Sequence, residues 1–150
     1  MASFRGRSEN AVDGKGRMAI PAKMRRALTP EAQETFIATR GIENCILLYP
    51  LDVWEVKEAH LRSLNQYEDE ETRHFLRALS MWAEDLTLDK QGRVLLPADL
   101  RDFAGITDTA VVIGTVDHLE VWDPDELDDY FAAQDSSYKD AAQQVMGGRP

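Results

Sequence analysis

Apolar residues in this chain come mostly in short runs between polar turns, and only two stretches carry a helical period. Met18-Ala19-Ile20 and Val94-Leu95-Leu96 are apolar triplets, each preceded by a glycine-bearing polar turn and followed by Pro-Ala. Such a run, bounded by a turn, is consistent with a buried strand. Pro21 and Pro97 suit the first position of a helix, where the missing N–H would lack a partner in any case. Ala22 to Leu28 and Ala98 to Ala104 are therefore expected to be short helices of about two turns. Phe4 to Val12 reads as the strand that enters the first turn. Phe36 to Gly41 and Cys45 to Tyr49 predict strand, turn and strand, as do Thr109 to Gly114 and His118 to Trp122. Thr29-Pro30-Glu31 opens a short helix. Between these β-rich parts, Asp52 to Leu64 and Thr72 to Met81 are expected to be helical, with Phe75, Leu76, Leu79 and Trp82 as an apolar stripe. Asp123 as N-cap, Pro124 at the first position, then Asp125 and Glu126 signal a last helix, running to about Gln134. Asp135 to Pro150 is polar and is expected to be partly mobile.

The pattern repeats. Asp13-Gly14-Lys15-Gly16-Arg17, the triplet and Pro21-Ala22-Lys23-Met24-Arg25 return as Asp89-Lys90-Gln91-Gly92-Arg93, the triplet and Pro97-Ala98-Asp99-Leu100-Arg101. Asp, Gly, Arg, Pro, Ala and the later Arg hold the same places. Gly16 and Gly92 suit a backbone with φ > 0, and Asp13 and Asp89 can bond the turns they open. The unit is strand, turn, strand, short helix, used twice. Each half is too small to bury much apolar surface alone, so the two are expected to share one core.

Charge changes the picture. The 150-residue chain has a formal net charge of −10. From Arg5 to Arg26, however, seven basic residues (Arg5, Arg7, Lys15, Arg17, Lys23, Arg25 and Arg26) face only Glu9 and Asp13. Screening acts over about 8 Å at physiological salt, so a basic face on an acidic body can still meet phosphates. The second copy is less basic: Lys15, Lys23 and Arg26 are replaced by Gln91, Asp99 and Asp102. The first turn is thus the better candidate for contacting DNA. Arg93 is read either as a DNA contact or as a structural residue that pairs with Asp89 or stabilises the sheet or a subunit contact.

Catalysis finds no support. His60, His74 and His118 have no Cys or His at ligand spacing, and no phosphate loop is present. Asp13 and Asp89 read as turn anchors, and no catalytic residue, metal or cofactor is expected. The single cysteine, Cys45, sits in an apolar run and reads as a small core residue. No apolar run reaches the ~18 residues of a membrane span, and no N-terminal signal is seen, so a soluble, cytoplasmic protein is expected. Lys15 and Arg17 at a hairpin tip, with Arg5, Arg7 and Arg25 or Arg26 close by, suit double-stranded DNA. A two-stranded ribbon fits the major groove, and arginine can contact both phosphates and guanine edges.

Phe4-Arg5-Gly6, Asp13-Gly14-Lys15-Gly16-Arg17, Ile20-Pro21-Ala22-Lys23, Thr39-Arg40-Gly41, Leu48-Tyr49-Pro50, Asp89-Lys90-Gln91-Gly92-Arg93 and Trp122-Asp123 resemble the MraZ family of bacterial transcriptional regulators, linked to the division and cell-wall gene cluster. The resemblance covers about Phe4 to Leu127. It implies an α+β fold with a mainly β core: a pseudo-twofold, swapped-hairpin β-barrel made of two SpoVT-AbrB-like repeats, with flanking helices. The modules would span residues 4–54 and 83–127, joined by a helical connection at 55–82 and followed at 128–150 by a helix end and flexible tail. It also implies a ring-shaped homo-oligomer, associated with the nucleoid, that binds spaced direct repeats upstream of its own operon. The DNA-binding set becomes Arg5, Arg7, Asp13, Lys15, Gly16, Arg17, Arg25, Asp89, Gln91 and Arg93, with no small-molecule substrate. Gly14 departs from the family, where Ala is more usual. Competing readings are an antitoxin-like module that binds a protein, and a ring scaffold without a DNA role.

Overall fold

The computed structural model describes residues 1–147. Among the described residues eight strands and six helices follow one another: β1 Arg7–Ala11, β2 Arg17–Ala19, α1 Ala22–Arg26, β3 Thr35–Arg40, β4 Ile46–Pro50, α2 Leu51–Arg62, α3 Glu70–Trp82, β5 Glu84–Thr87, β6 Arg93–Leu95, α4 Ala98–Ala104, β7 Thr109–Thr115, β8 His118–Trp122, α5 Pro124–Ala132 and α6 Tyr138–Met146. A 3-10 turn covers Pro30–Ala32. The fold is α+β. Among the described residues, no helix is long and apolar enough to cross a membrane.

Six strands form one antiparallel sheet in the order β1-β7-β8-β4-β3-β5, and β2 pairs with β6 in a separate two-stranded ribbon. The order is symmetric about the β8–β4 pair. Each half lends its first strand to the other: β1 runs against β7 from Arg7↔Ile113 to Ala11↔Thr109, and β5 runs against β3 from Thr35↔Thr87 to Ala38↔Glu84. The two arms of the first turn therefore do not ladder with each other. In the backbone they are joined by the isolated bridge Val12↔Met18 and the Asp13 N–H to Arg17 carbonyl bond (3.0 Å), and beyond that by the Asp13 side chain.

The closed barrel that the family resemblance implies is not formed by these ladders. β2 and β6 are three residues long and run, one residue on, into Pro21 and Pro97. Proline lacks the N–H that would extend a ladder toward the larger sheet. Both edges of that sheet end on charged strands, Arg7 and Glu9 on β1 and Glu84 and Asp85 on β5, which discourages further pairing.

One core serves both halves. Met18, Ile20 and Met24 of the first repeat and Val94, Leu96 and Leu100 of the second are all at most 1% exposed and lie in one cluster with Phe4, Phe36, Ile46 and Leu119. Fully burying a side chain of this size contributes roughly 1.5–3 kcal/mol. Cys45 is buried in a smaller cluster with Val111, Trp122 and Leu127, and burial pushes its thiol up to about 12.

The helices follow their sequence signals with shifted ends. α1 is only five residues long and stops at Arg26. Asp123 caps α5 by accepting from the Asp125 and Glu126 N–H groups, both at 3.1 Å. α2 and α3 each pack on the sheet, α3 against β3 and α2 against β3, β4 and the 3-10 turn. Between them they leave an apolar groove of about 680 Å³ lined by Leu47, Val56, Leu61, Phe75 and Leu79 among others. Within the tail, Tyr138–Met146 is helical with a Ser137–Asp140 capping box; residues 148–150 lie outside the described residues.

Gly114 lets the N-terminal segment cross β7. A Cβ there would lie 2.8 Å from both the Arg5 Cα and the Phe4 carbonyl carbon, backbone that cannot rotate away. Gly114→Ala is expected to destabilise the fold by about 1–3 kcal/mol, the usual range for forced overpacking, read as a fall in the denaturant midpoint at unchanged slope.

Candidate nucleic-acid interface

Each turn is built around one carboxylate. Asp13 Oδ1 accepts from the Lys15 and Arg17 N–H groups, both at 2.9 Å, and its Oδ2 accepts from Arg17 Nε at 2.8 Å. The Gly16 N–H donates to the Asp13 carbonyl at 2.9 Å, with Gly16 at φ +94°. The second turn repeats this bond for bond. Asp89 Oδ1 accepts from Gln91 and Arg93 N–H at 2.8 and 3.0 Å, Oδ2 from Arg93 Nε at 2.9 Å, and Gly92 sits at φ +74°. The backbone N–H of Arg17 and then its guanidinium hold the Asp13 carboxyl down to about 2. The Arg93 N–H likewise lowers Asp89 below the usual range.

The Nε of Arg17 is thus tied to Asp13, which aims the guanidinium and leaves its two terminal nitrogens without a hydrogen bond to any described residue. Lys15 is exposed at the tip. A Cβ on Gly14 would meet nothing within 4 Å, so an alanine fits here without rearrangement.

The two turns stand at opposite ends of the β2–β6 ribbon. Its register sets Arg17 opposite Leu95 and Ala19 opposite Arg93. Met18 and Val94 point into the core, so these four residues share the outward face. Leu95 is 56% exposed at its centre. Sequence reasoning placed Leu95 in a buried run; the two-residue period of the triplet was the signal that it points outward.

The remaining predicted residues are distributed as follows. Gly16, Arg17, Asp13 and Lys15 form the first turn, and Asp89, Gln91 and Arg93 the second. Arg5 and Arg7 are exposed but lie toward the other end of β1. Arg7 is six residues before Asp13, about 20 Å at the ~3.3 Å rise of a strand. Lys23 comes against Gly6 there. Arg25 does not join the first turn. Its Nε donates to the Ile20 carbonyl at 2.9 Å and its guanidinium covers Gly92 of the second turn.

The family model of the MraZ protein, described as antitoxin-like, matches this chain twice, over residues 3–78 and 79–147. Proteins bearing the name Transcriptional regulator MraZ are similar along nearly the whole length. That of Desulfitobacterium hafniense is 40% identical over 143 residues, that of Natranaerobius thermophilus 36% over 143, and that of Roseiflexus castenholzii 39% over 142; each alignment covers 95% of this chain and 96% of the relative.

Because the Asp13 carboxyl is held below its ordinary value of 3.8, the bonds it makes are complete at neutral pH and are lost as the pH falls through about 2. An NMR titration of the Asp13 carboxyl carbon is expected to show a midpoint near pH 2, with the Lys15 and Arg17 amide shifts moving in parallel. A midpoint at the ordinary value would mean the turn is not anchored this way.

Proposed function

The chain belongs to the MraZ family, and we propose that it is a regulator of transcription that binds double-stranded DNA sequence-specifically through the β2–β6 ribbon and its two turns. Its family is one of transcriptional regulators and not of enzymes. The observation that carries the reading is the ribbon's outward face, with Arg17 and Arg93 at its ends and Lys15 at a tip, on a chain of net charge −10. The major groove admits a two-stranded ribbon. Lys15 and the free ends of Arg17 and Arg93 supply phosphate or guanine contacts, and Gln91 has the donor–acceptor pair that suits adenine. Leu95 and Ala19 offer apolar contact to a thymine methyl. Asp13, Asp89, Gly16 and Gly92 hold the turns in shape.

One ribbon makes few phosphate contacts, so several must act together. In this reading identical subunits form a ring, in the cytoplasm and on the nucleoid, whose ribbons meet direct repeats upstream of the operon that encodes the protein, within the division and cell-wall gene cluster. Effective concentration then raises affinity steeply without any new kind of contact. The groove between α2 and α3, with Phe75 half exposed and Ile42 and Val56 exposed beside it, suits the subunit contact.

Arg17→Ala and Lys15→Ala are expected to abolish specific binding in gel-shift assays while the thermal unfolding curve stays in place. Normal affinity in a folded Arg17→Ala protein would refute the assignment. For the wild type, log K should fall with log salt at about −0.9 per phosphate contacted, and three repeats should bind far more tightly than one. In the same assays Phe75→Glu should yield smaller assemblies by light scattering and lose the gain from repeated sites while keeping the single-site affinity. An unchanged assembly would move the subunit interface elsewhere.

A further inference from the structure

The two turns are unequal in sequence but not in space. The arginine that follows each Pro-Ala lies over the glycine of the opposite half's turn. Arg101 donates from Nε to the Leu96 carbonyl at 3.1 Å, and its guanidinium fills the space a Gly16 side chain would take: a Cβ there would be 2.7 Å from Nε, 2.8 Å from Cζ and 2.9 Å from Nη2. Arg25 donates from Nε to the Ile20 carbonyl at 2.9 Å and covers Gly92 in the same manner, with a Cβ there 2.6 Å from Cζ. The backbone beneath is crossed as well. The Leu96 N–H donates to the Gly16 carbonyl at 2.9 Å, and the Ile20 N–H to the Gly92 carbonyl at 3.0 Å.

A single residue thus links each turn to its arginine. Leu96 gives its N–H to Gly16 of the first turn and receives, at its own carbonyl, the Nε of Arg101. Guanidinium is planar and can lie flat on a glycine peptide, while a lysine cannot both cover that peptide and direct a fixed N–H at the carbonyl. The terminal nitrogens of Arg101 and Arg25 make no hydrogen bond to any described residue. They remain available to an anion.

We infer that each turn is completed across the pseudo-twofold axis: Arg101 positions the first turn and adds a cation to it, and Arg25 does the same for the second. Grouped by proximity, Lys15, Arg17 and Arg101 serve the first turn, and Lys90, Arg93 and Arg25 the second. Each turn then carries three cations around one structural aspartate. The second turn is therefore as well equipped for phosphate as the first, although its own half of the chain is acidic.

The inference takes the ligand from the DNA-binding reading, but its geometric part is testable without DNA. The measurement is amide hydrogen exchange of the full chain at Lys15, Gly16 and Arg17 and at Gln91, Gly92 and Arg93, in wild type, Arg101→Gln, Arg25→Gln, Arg101→Lys and Arg25→Lys. Both arginines are only partly buried, and all variants are expected to fold. Arg101→Gln should speed exchange in the first turn by about tenfold, the scale of removing one charge-assisted bond, and leave the second turn unchanged. Arg25→Gln should do the reverse, and the lysine variants should match the glutamine ones. Exchange that changes only in the variant's own half, or not at all, or that lysine restores, would overturn the positioning. On operator DNA, each glutamine variant should lower the magnitude of the salt slope by about 0.9 for every subunit bound, because one phosphate fewer is neutralised there; an unchanged slope in both would overturn the added cation. If the wild type binds no DNA, the regulator reading falls and the exchange pattern still decides the crossed positioning.

Discussion

Everything in this molecule depends on hydrogen bonds that run between its halves. β1 ladders only with β7, β5 only with β3, and the one ladder that β2 and β6 form is with each other, each being tied to its own turn by no more than isolated bonds. A buried backbone N–H or carbonyl left without a partner costs on the order of 1–3 kcal/mol. A single repeat would leave a row of such groups open, together with the apolar faces of Met18, Ile20 and Met24. The halves therefore cannot fold as independent beads joined by a linker. The interface between them is the core.

That constraint delivers the candidate binding surface without further cost. Pairing β2 with β6 turns Met18 and Val94 inward, and the period of two then turns Arg17, Ala19, Arg93 and Leu95 outward. The same pairing sends the turns to opposite ends of the ribbon. Each aspartate satisfies three donors with two oxygens, so the turn is stiff before anything binds it. Stiffness matters for recognition, because a contact group already held in place loses little entropy on binding.

Much of this was readable from the residues. The repeat itself, the turn chemistry of Asp and Gly, the Asp123 cap and the shared core all followed from local rules, while Pro21 and Pro97, expected at the first helical position, stand one place earlier as N-caps. Pairing did not. A three-residue apolar triplet states that it is buried on one side, but nothing local says whether its partner lies across its own turn or in the other repeat. The intuitive hairpin puts Arg25 beside Lys15, whereas the crossed ladder sends it to Gly92. Barrel closure failed as an expectation for a related reason, since the two prolines that open helices also end the ladders. Arg101 showed in the sequence only as a repeated position, because its role depends on a neighbour 85 residues away, Gly16, and that distance closes only when β2 meets β6.

Fusion of two such repeats in one chain also changes what the surface can become. A symmetric dimer of identical modules must present two identical turns. Here Lys15 and Gln91 occupy equivalent places, and Lys23 and Arg26 are answered by Asp99 and Asp102. The divergence affects the tips and the outer side of the helices. It spares the aspartates, the positive-φ glycines, both turn arginines and both crossing arginines, which are the groups whose geometry the fold fixes. Two ends of one ribbon then carry different side chains at equivalent places, an amine at Lys15 and an amide at Gln91. An ammonium suits guanine O6 and N7, while an amide suits adenine N6 and N7. A ribbon lying in a groove with those two ends has a direction. In the DNA-binding reading proposed for this chain, a set of such ribbons arranged head to tail would call for direct repeats, where a symmetric dimer would call for palindromes.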